Sequence, residues 1–211
     1  MTITLTITLI LLVLLAPLMA VIALLIALDS PGSPIFRQQR ARGDRDQTDD
    51  DAASHPFTFF KFRSMREDAD RALHQRFVAE LIEAGSSAAK QYNGLDRLTN
   101  DPRVTRVGRF LRATRLDELP QLFNVLRGDM SLVGPRPAIP YEASKYQGWH
   151  RQRLEVTAGI TGLWPVKGRN SLSFDEMVPL DNTYVETRSQ HVDLGILLKT
   201  IPVVIFGHNT C

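Results

Sequence analysis

From Met1 to Leu28 the chain carries no charged side chain, and the first is Asp29. No other feature restricts the fold as much, because a helix that is apolar on every face belongs inside a core or a membrane. As a single helix the segment would be roughly 42 Å long, against a hydrocarbon thickness of about 30 Å. Pro17 complicates a plain span, since an interior proline removes one backbone hydrogen bond and kinks the helix. The two halves would be roughly 24 Å and 17 Å long, and neither crosses a bilayer alone. On the residues themselves three placements stay open: a kinked transmembrane helix, a re-entrant helix returning to the same face, and a cleaved signal peptide. The last is the weakest, because no positive charge precedes the apolar run and the run is longer than a signal core, although Ala20, Ala23 and Ala27 supply small residues. Arg37, Arg40, Arg42 and Arg45 follow closely, which places that flank in the cytoplasm by the positive-inside rule.

The 211 residues suffice for one substantial core and at most a small second unit. A net charge of +2, from 25 Lys and Arg against 23 Asp and Glu, excludes a general nucleic-acid binder. The only cysteine is Cys211, so one chain forms neither an internal disulfide nor a cysteine metal cluster. The histidines show no metal spacing.

Along the chain, SPGSPIF reads as a turn-rich exit from the membrane, and ARGDRDQTDDDAASHP as a polar surface loop. Phe57 to Met65 predicts a short strand. The run from Arg66 to about Glu83 has helical composition and ends at Gly85. In DPRVTRVGRFLRATR, arginines 103, 106, 109, 112 and 115 recur every third residue beside Val104, Val107, Phe110 and Leu111. That pattern predicts an amphipathic helix whose basic stripe faces either solvent or lipid headgroups. Leu119, Leu122, Phe123 and Leu126 fall at helical spacing. The AGITGLWPVKGRN segment reads as irregular, and the apolar tail from Val192 to Phe206 is too short to span and reads as a core or interfacial helix.

The stretch TRLDELPQLFNVLRGDMSLVGPRP puts Asp117 and Glu118 side by side at the start of a predicted helix. Thr114 and Asp117 match the spacing of a capping box, so Asp117 has a purely structural reading. Its surroundings argue for more: a second acid, Arg112 and Arg115 just before, and Arg136 on a turn made extended by Pro135 and Pro137. A carboxylate kept ionised by cations is a competent nucleophile toward phosphorus. Phosphoryl transfer otherwise depends on positioning and charge neutralisation, for which arginine forks and Mg²⁺ serve.

The chain resembles the bacterial sugar transferase family, small membrane-embedded phosphoglycosyl transferases. The likeness runs from about Leu14 to Thr200 through SPGSPIFRQQRARG, KFRSM, DPRVTRVGRFLR, LDELPQLFNVLRGDMSLVGPRP, GITGLW, GRN, LDNTYVE and HVDLGILLKT. It implies an α+β, mainly α-helical fold. A proline-broken re-entrant membrane helix, ending with its exit turn at residue 36, would precede a cytoplasmic catalytic domain (37–211) with interfacial amphipathic helices. Pro17 matches the helix break. The implied reaction moves a sugar phosphate from a UDP-sugar to polyprenyl phosphate at the cytoplasmic face of the inner membrane. Asp117 would be the nucleophile and Glu118 its assistant, through Mg²⁺ or a proton. Arg136 and Arg169 would bind phosphate or nucleotide, and Lys61 is a further candidate for that work. Two rivals stand beside this reading: a membrane-bound nucleotide-sugar hydrolase, and a scaffold whose arginines bind anionic lipid. No motif names the sugar, the pathway or the oligomeric state.

Overall fold

The computed structural model describes residues 2–43, 56–66, 103–146, 148–167 and 174–206. Helix α1 runs from Thr2 to Asp29 and continues through Pro17. The proline ring costs one backbone hydrogen bond, but neither half of the helix ends there. A single stripe of α1, comprising Thr8, Leu12, Met19, Ile22 and Ile26, is buried. These residues recur at helical spacing over roughly 27 Å of helix. Leu9, Ile10, Val13, Leu14, Val21, Leu24 and Leu28 on its other sides are exposed. An unbroken apolar surface of that extent is compatible with a membrane anchor, and α1 is the one described helix long and apolar enough to cross a bilayer.

Two small sheets organise the rest. Strand β1 (Ile35–Arg40) pairs antiparallel with β2 (Phe57–Phe62), with Ile35 opposite Phe62 and Arg40 opposite Phe57. The predicted strand at Phe57 is therefore present, and its partner lies in a segment read only as an exit turn and loop. IFRQQR lacks clean alternation, and only tertiary pairing reveals it as a strand. Strand β3 (Ser131–Val133) runs parallel to β4 (Gly159–Thr161), so part of the segment expected to be irregular is also ordered.

The helices α2 (Arg106–Thr114) and α3 (Gln121–Leu126) flank a 3₁₀ turn at Leu116–Glu118. Thr105 caps α2 by accepting the Gly108 N–H. Arg109, Phe110 and Arg112 point outward while Gly108 and Leu111 are buried. The short helix α4 (Pro140–Ala143) and a 3₁₀ segment at Gly148–Leu154 lead to β4. Helices α5 (Leu163–Lys167), α6 (Phe174–Thr187) and α7 (Gln190–Phe206) follow. The tail is thus helical, as expected, with Ile196 buried and Leu194, Leu198 and Ile201 exposed. The protein is mostly helical with a small β component, as anticipated. Helix α1 packs on α2, α3 and β3, and its stripe joins Phe57, Phe59, Phe62, Leu111, Leu122, Val125 and Leu132 in one core. The helix predicted from Arg66 to Glu83 lies, beyond Arg66, outside the described residues.

Candidate active site

Asp117 and Glu118 sit in the 3₁₀ turn between α2 and α3, not in the first turn of a regular helix. The capping reading does not survive. Pro120 occupies the N-cap of α3, where no side-chain cap bond is made, and the Thr114 hydroxyl donates back to the Phe110 and Leu111 carbonyls of its own helix. Arg115, immediately before the turn, has φ 58°. That left-handed conformation is costly for a residue other than glycine, and it ends α2 so that the next residues turn into the protein.

Lys61 on β2 reaches this turn. Its Nζ lies 3.2 Å from Glu118 Oε1 and 3.6 Å from Asp117 Oδ2. Among the sequence candidates it was the weaker one, yet it sits between both acids. Arg136 reaches the same oxygen, its Nη1 3.9 Å from Glu118 Oε1. Asp117 and Glu118 are largely buried, whereas the Arg136 side chain is 44% exposed. The cluster is therefore open on the arginine side. Arg169 lies outside the described residues.

The two acids differ in ionisation. Burial pushes the Asp117 carboxyl above its ordinary value, with Lys61 pulling the other way and Glu118 adding repulsion. Burial also opposes ionisation of Glu118, but Lys61, Arg136 and Arg115 outweigh it and hold that carboxyl at about 2. The expectation of a carboxylate held ionised by cations thus describes Glu118 better than Asp117. A raised pKa makes the Asp117 carboxylate the more basic of the two.

Several supporting residues escaped the sequence reading. Asn124 of α3 is fully buried; its Nδ2 donates to Thr58 O and its Oδ1 accepts the Phe60 N–H. The side-chain amide thereby acts like a neighbouring strand on the free edge of β2 and fixes the strand bearing Lys61. Arg63, also buried, donates to the carbonyls of Ser30 and Pro31 at 2.6 Å. It thus ties the exit of α1 to the residues just after Lys61. Gly134 and Gly159 let the GPRP turn lie on β4, since a Cβ on Gly159 would fall 2.0 Å from Gly134 N. None of these has a local signal, because each partner is remote in sequence.

A paired-acid site crossed by two cations, beside a long apolar helix, is suited to chemistry on phosphate esters at an apolar surface. Comparison with known proteins gives the family: the model described as bacterial sugar transferase matches residues 1–207, and the chain belongs to that family. It is 45% identical to the undecaprenyl-phosphate galactose phosphotransferase of Salmonella typhimurium over 71% of this chain and 30% of that protein. It is 39% identical to the exopolysaccharide production protein ExoY of Sinorhizobium fredii over 86% of this chain and 74% of that protein. It is 38% identical to the UDP-glucose:undecaprenyl-phosphate glucose-1-phosphate transferase of Caulobacter vibrioides, over 90% and 64% of the respective lengths. Against several relatives the chain spans only about a third of their length.

Proposed function

We propose that this protein transfers a sugar 1-phosphate from a UDP-sugar to polyprenyl phosphate, of the undecaprenyl type, and so starts assembly of a glycan. The observation that carries the reading is the convergence of Asp117, Glu118, Lys61 and Arg136 in one half-open cluster, in a chain whose relatives are named for this chemistry.

In the first step an Asp117 carboxylate oxygen attacks the β-phosphorus of the UDP-sugar. The bond from that phosphorus to the bridging oxygen breaks, and UMP leaves with the electron pair. A phosphosugar then remains on Asp117 as an acyl phosphate. In the second step an oxygen of polyprenyl phosphate attacks the same phosphorus, the bond to Asp117 breaks, and the carboxylate is restored. Lys61 orients Asp117 and limits repulsion between the two acids. Arg136, exposed and facing Glu118, binds the donor's phosphate oxygens, and Arg169 is proposed to assist at the nucleotide. Among the described residues no group of three or more His, Cys, Asp or Glu is arranged as a metal cage. Two adjacent carboxylates nevertheless match the small protein share that Mg²⁺ takes when substrate phosphates and water complete its shell. Asp117 and Glu118 would hold that ion, which supplies further neutralisation of phosphate charge.

On this reading the active face lies at the cytoplasmic side of the inner membrane. The buried stripe of α1 extends from Thr8 to Ile26, so a helix upright across the bilayer would carry part of the packed domain into hydrocarbon. A shallow course of this continuous helix, kinked at Pro17 with both ends toward the cytoplasm, would avoid that and keep the lipid phosphate near Asp117.

The test is a UMP-release screen across UDP-sugars, with Mg²⁺ and with or without polyprenyl phosphate. Without acceptor, wild type should release at most one UMP per enzyme and retain a labelled β-phosphate; with acceptor it should turn over. Asp117→Asn should do neither. Sustained release without acceptor would mark a hydrolase, and a blank across all donors would sink the proposal.

A further inference from the structure

The turn that presents Arg136 contains two prolines, Pro135 and Pro137, which have no N–H with which to brace it. It is braced through its carbonyls instead. Four consecutive carbonyls each accept a hydrogen bond: Pro135 O from Gly159 N at 2.9 Å, Arg136 O from Arg153 Nη2 at 3.4 Å, Pro137 O from Arg40 Nη1 at 2.9 Å, and Ala138 O from Ala41 N at 2.8 Å. Two of the donors are guanidiniums, one from β1 and one from the 3₁₀ segment at Gly148–Leu154, and both belong to buried residues.

Each guanidinium is itself fixed. Arg40 donates to Gln38 Oε1 at 2.8 Å and lies 5.1 Å from the centre of the Phe59 ring. The same ring carries Lys61 Nζ at 5.6 Å. Arg153 pairs with Asp181 at 2.6 Å and donates to the Tyr146 hydroxyl at 3.3 Å. Burying a guanidinium is costly, and two buried beside a third, that of Arg136, is an expensive way to make a turn. It is accounted for if the turn must hold its place against the pull of a bound anion.

We propose that Arg40 and Arg153 are positioning residues that hold the main chain of Arg136, so that its half-exposed side chain meets the donor's phosphate at a fixed place. Arg40 also sets the distance between Arg136 and Lys61 through the Phe59 ring. The proposal rests on the reading of Arg136 as a phosphate ligand.

The test is a double-mutant cycle in the full chain in detergent. It uses UDP-galactose and UDP-glucose as donors and, as an activity-independent readout, the Kd for UDP. Arg40→Lys keeps the charge but loses the two-pronged donor. It should raise the donor KM and the UDP Kd about tenfold or more, with kcat changed much less. In an Arg136→Ala background the same substitution should have no further effect. Arg153→Lys, acting on the neighbouring carbonyl, should repeat the pattern and serves in place of Arg40→Lys if that variant does not fold. Equal losses with and without the Arg136 side chain would overturn the clamp while leaving Arg136 as a ligand. If Arg136→Ala alone changes neither KM nor Kd, the reading of Arg136 fails and the clamp with it.

Discussion

The protein holds two acid–cation groups built from the same side-chain types and used in opposite ways. At the α2–α3 turn, Asp117 and Glu118 face Lys61 and Arg136 at 3.2–3.9 Å, and the Arg136 side chain is open to solvent. Behind the GPRP turn, Arg153 and Asp181 pair at 2.6 Å with both side chains all but inaccessible. The first group is loose, crowded with like charges and reachable, which suits exchange of one anion for another. The second is closed and matched one to one, and Arg153 also donates to the Arg136 carbonyl and the Tyr146 hydroxyl. Distance and exposure, more than residue type, separate a site from a brace.

The largest effect that would break this contrast is at Asp117. Asp117→Asn should lower UMP release by roughly three orders of magnitude or more, as removal of a nucleophile does, while the thermal midpoint stays near wild type. A large fall in stability instead would make Asp117 structural. Arg153→Met should act on stability first, costing about 3–5 kcal/mol by leaving Asp181 buried and unpaired, measured by chemical unfolding, and should weaken donor binding besides. Substituting Asp181 by a leucine in the same chain should recover much of that loss. Lys61→Met is expected to lie between them: activity down roughly a hundredfold, stability lowered by less than in Arg153→Met because the cluster stays open at the half-exposed Arg136, and an acid limb moved upward in the pH–rate profile as Glu118 loses its main counter-charge.

Glu118 and Asp181 should also differ in sign when pH is varied. Glu118, held at about 2 against an ordinary 4.5, contributes stability that is complete above 4.5 and lost as pH falls toward 2. Asp181 is raised from 3.8 to about 6, chiefly by burial against the pull of Arg153. Its penalty is absent below 3.8 and grows as pH rises through 6. Thermal midpoints across this range should therefore flatten at the acid end in Glu118→Gln and at the 4-to-6 end in Asp181→Asn. The smallest effect is at Thr114. With its hydroxyl directed into its own helix, Thr114→Ala should change stability by no more than about 0.5 kcal/mol, where loss of a true cap would cost about 1 kcal/mol.

Much of the site was readable in advance, for identifiable reasons. The Asp117–Glu118 pair and Arg136 stand in a continuous motif whose residue types already suggest phosphate chemistry. Helices α2 and α3 follow from residue spacing, and α7 from the length and apolar composition of the tail. Lys61 was marked only through the family resemblance and as a phosphate ligand, because its place beside the acids lies in a 57-residue separation from Glu118 closed by β2. Asn124, Arg40, Arg63 and Arg153 were invisible for a related reason. Their partners are carbonyls and backbone amides, groups that every residue carries and no motif marks. Strand β1 was missed because IFRQQR acquires its extended form by pairing with FTFFKF.

By itself the sequence determined that this protein has an apolar N-terminal helix, a mainly helical body and a paired-acid motif, since composition and local periodicity are properties of short stretches. Only the tertiary structure decided that α1 shares the core along much of its length, that Asp117 is no helix cap, and that burial sets the two acids apart. It also decided that a lysine and an arginine from distant segments meet the same carboxylate. Those outcomes depend on how close remote groups come and how much water is left between them, and the order of residues along the chain does not state either quantity.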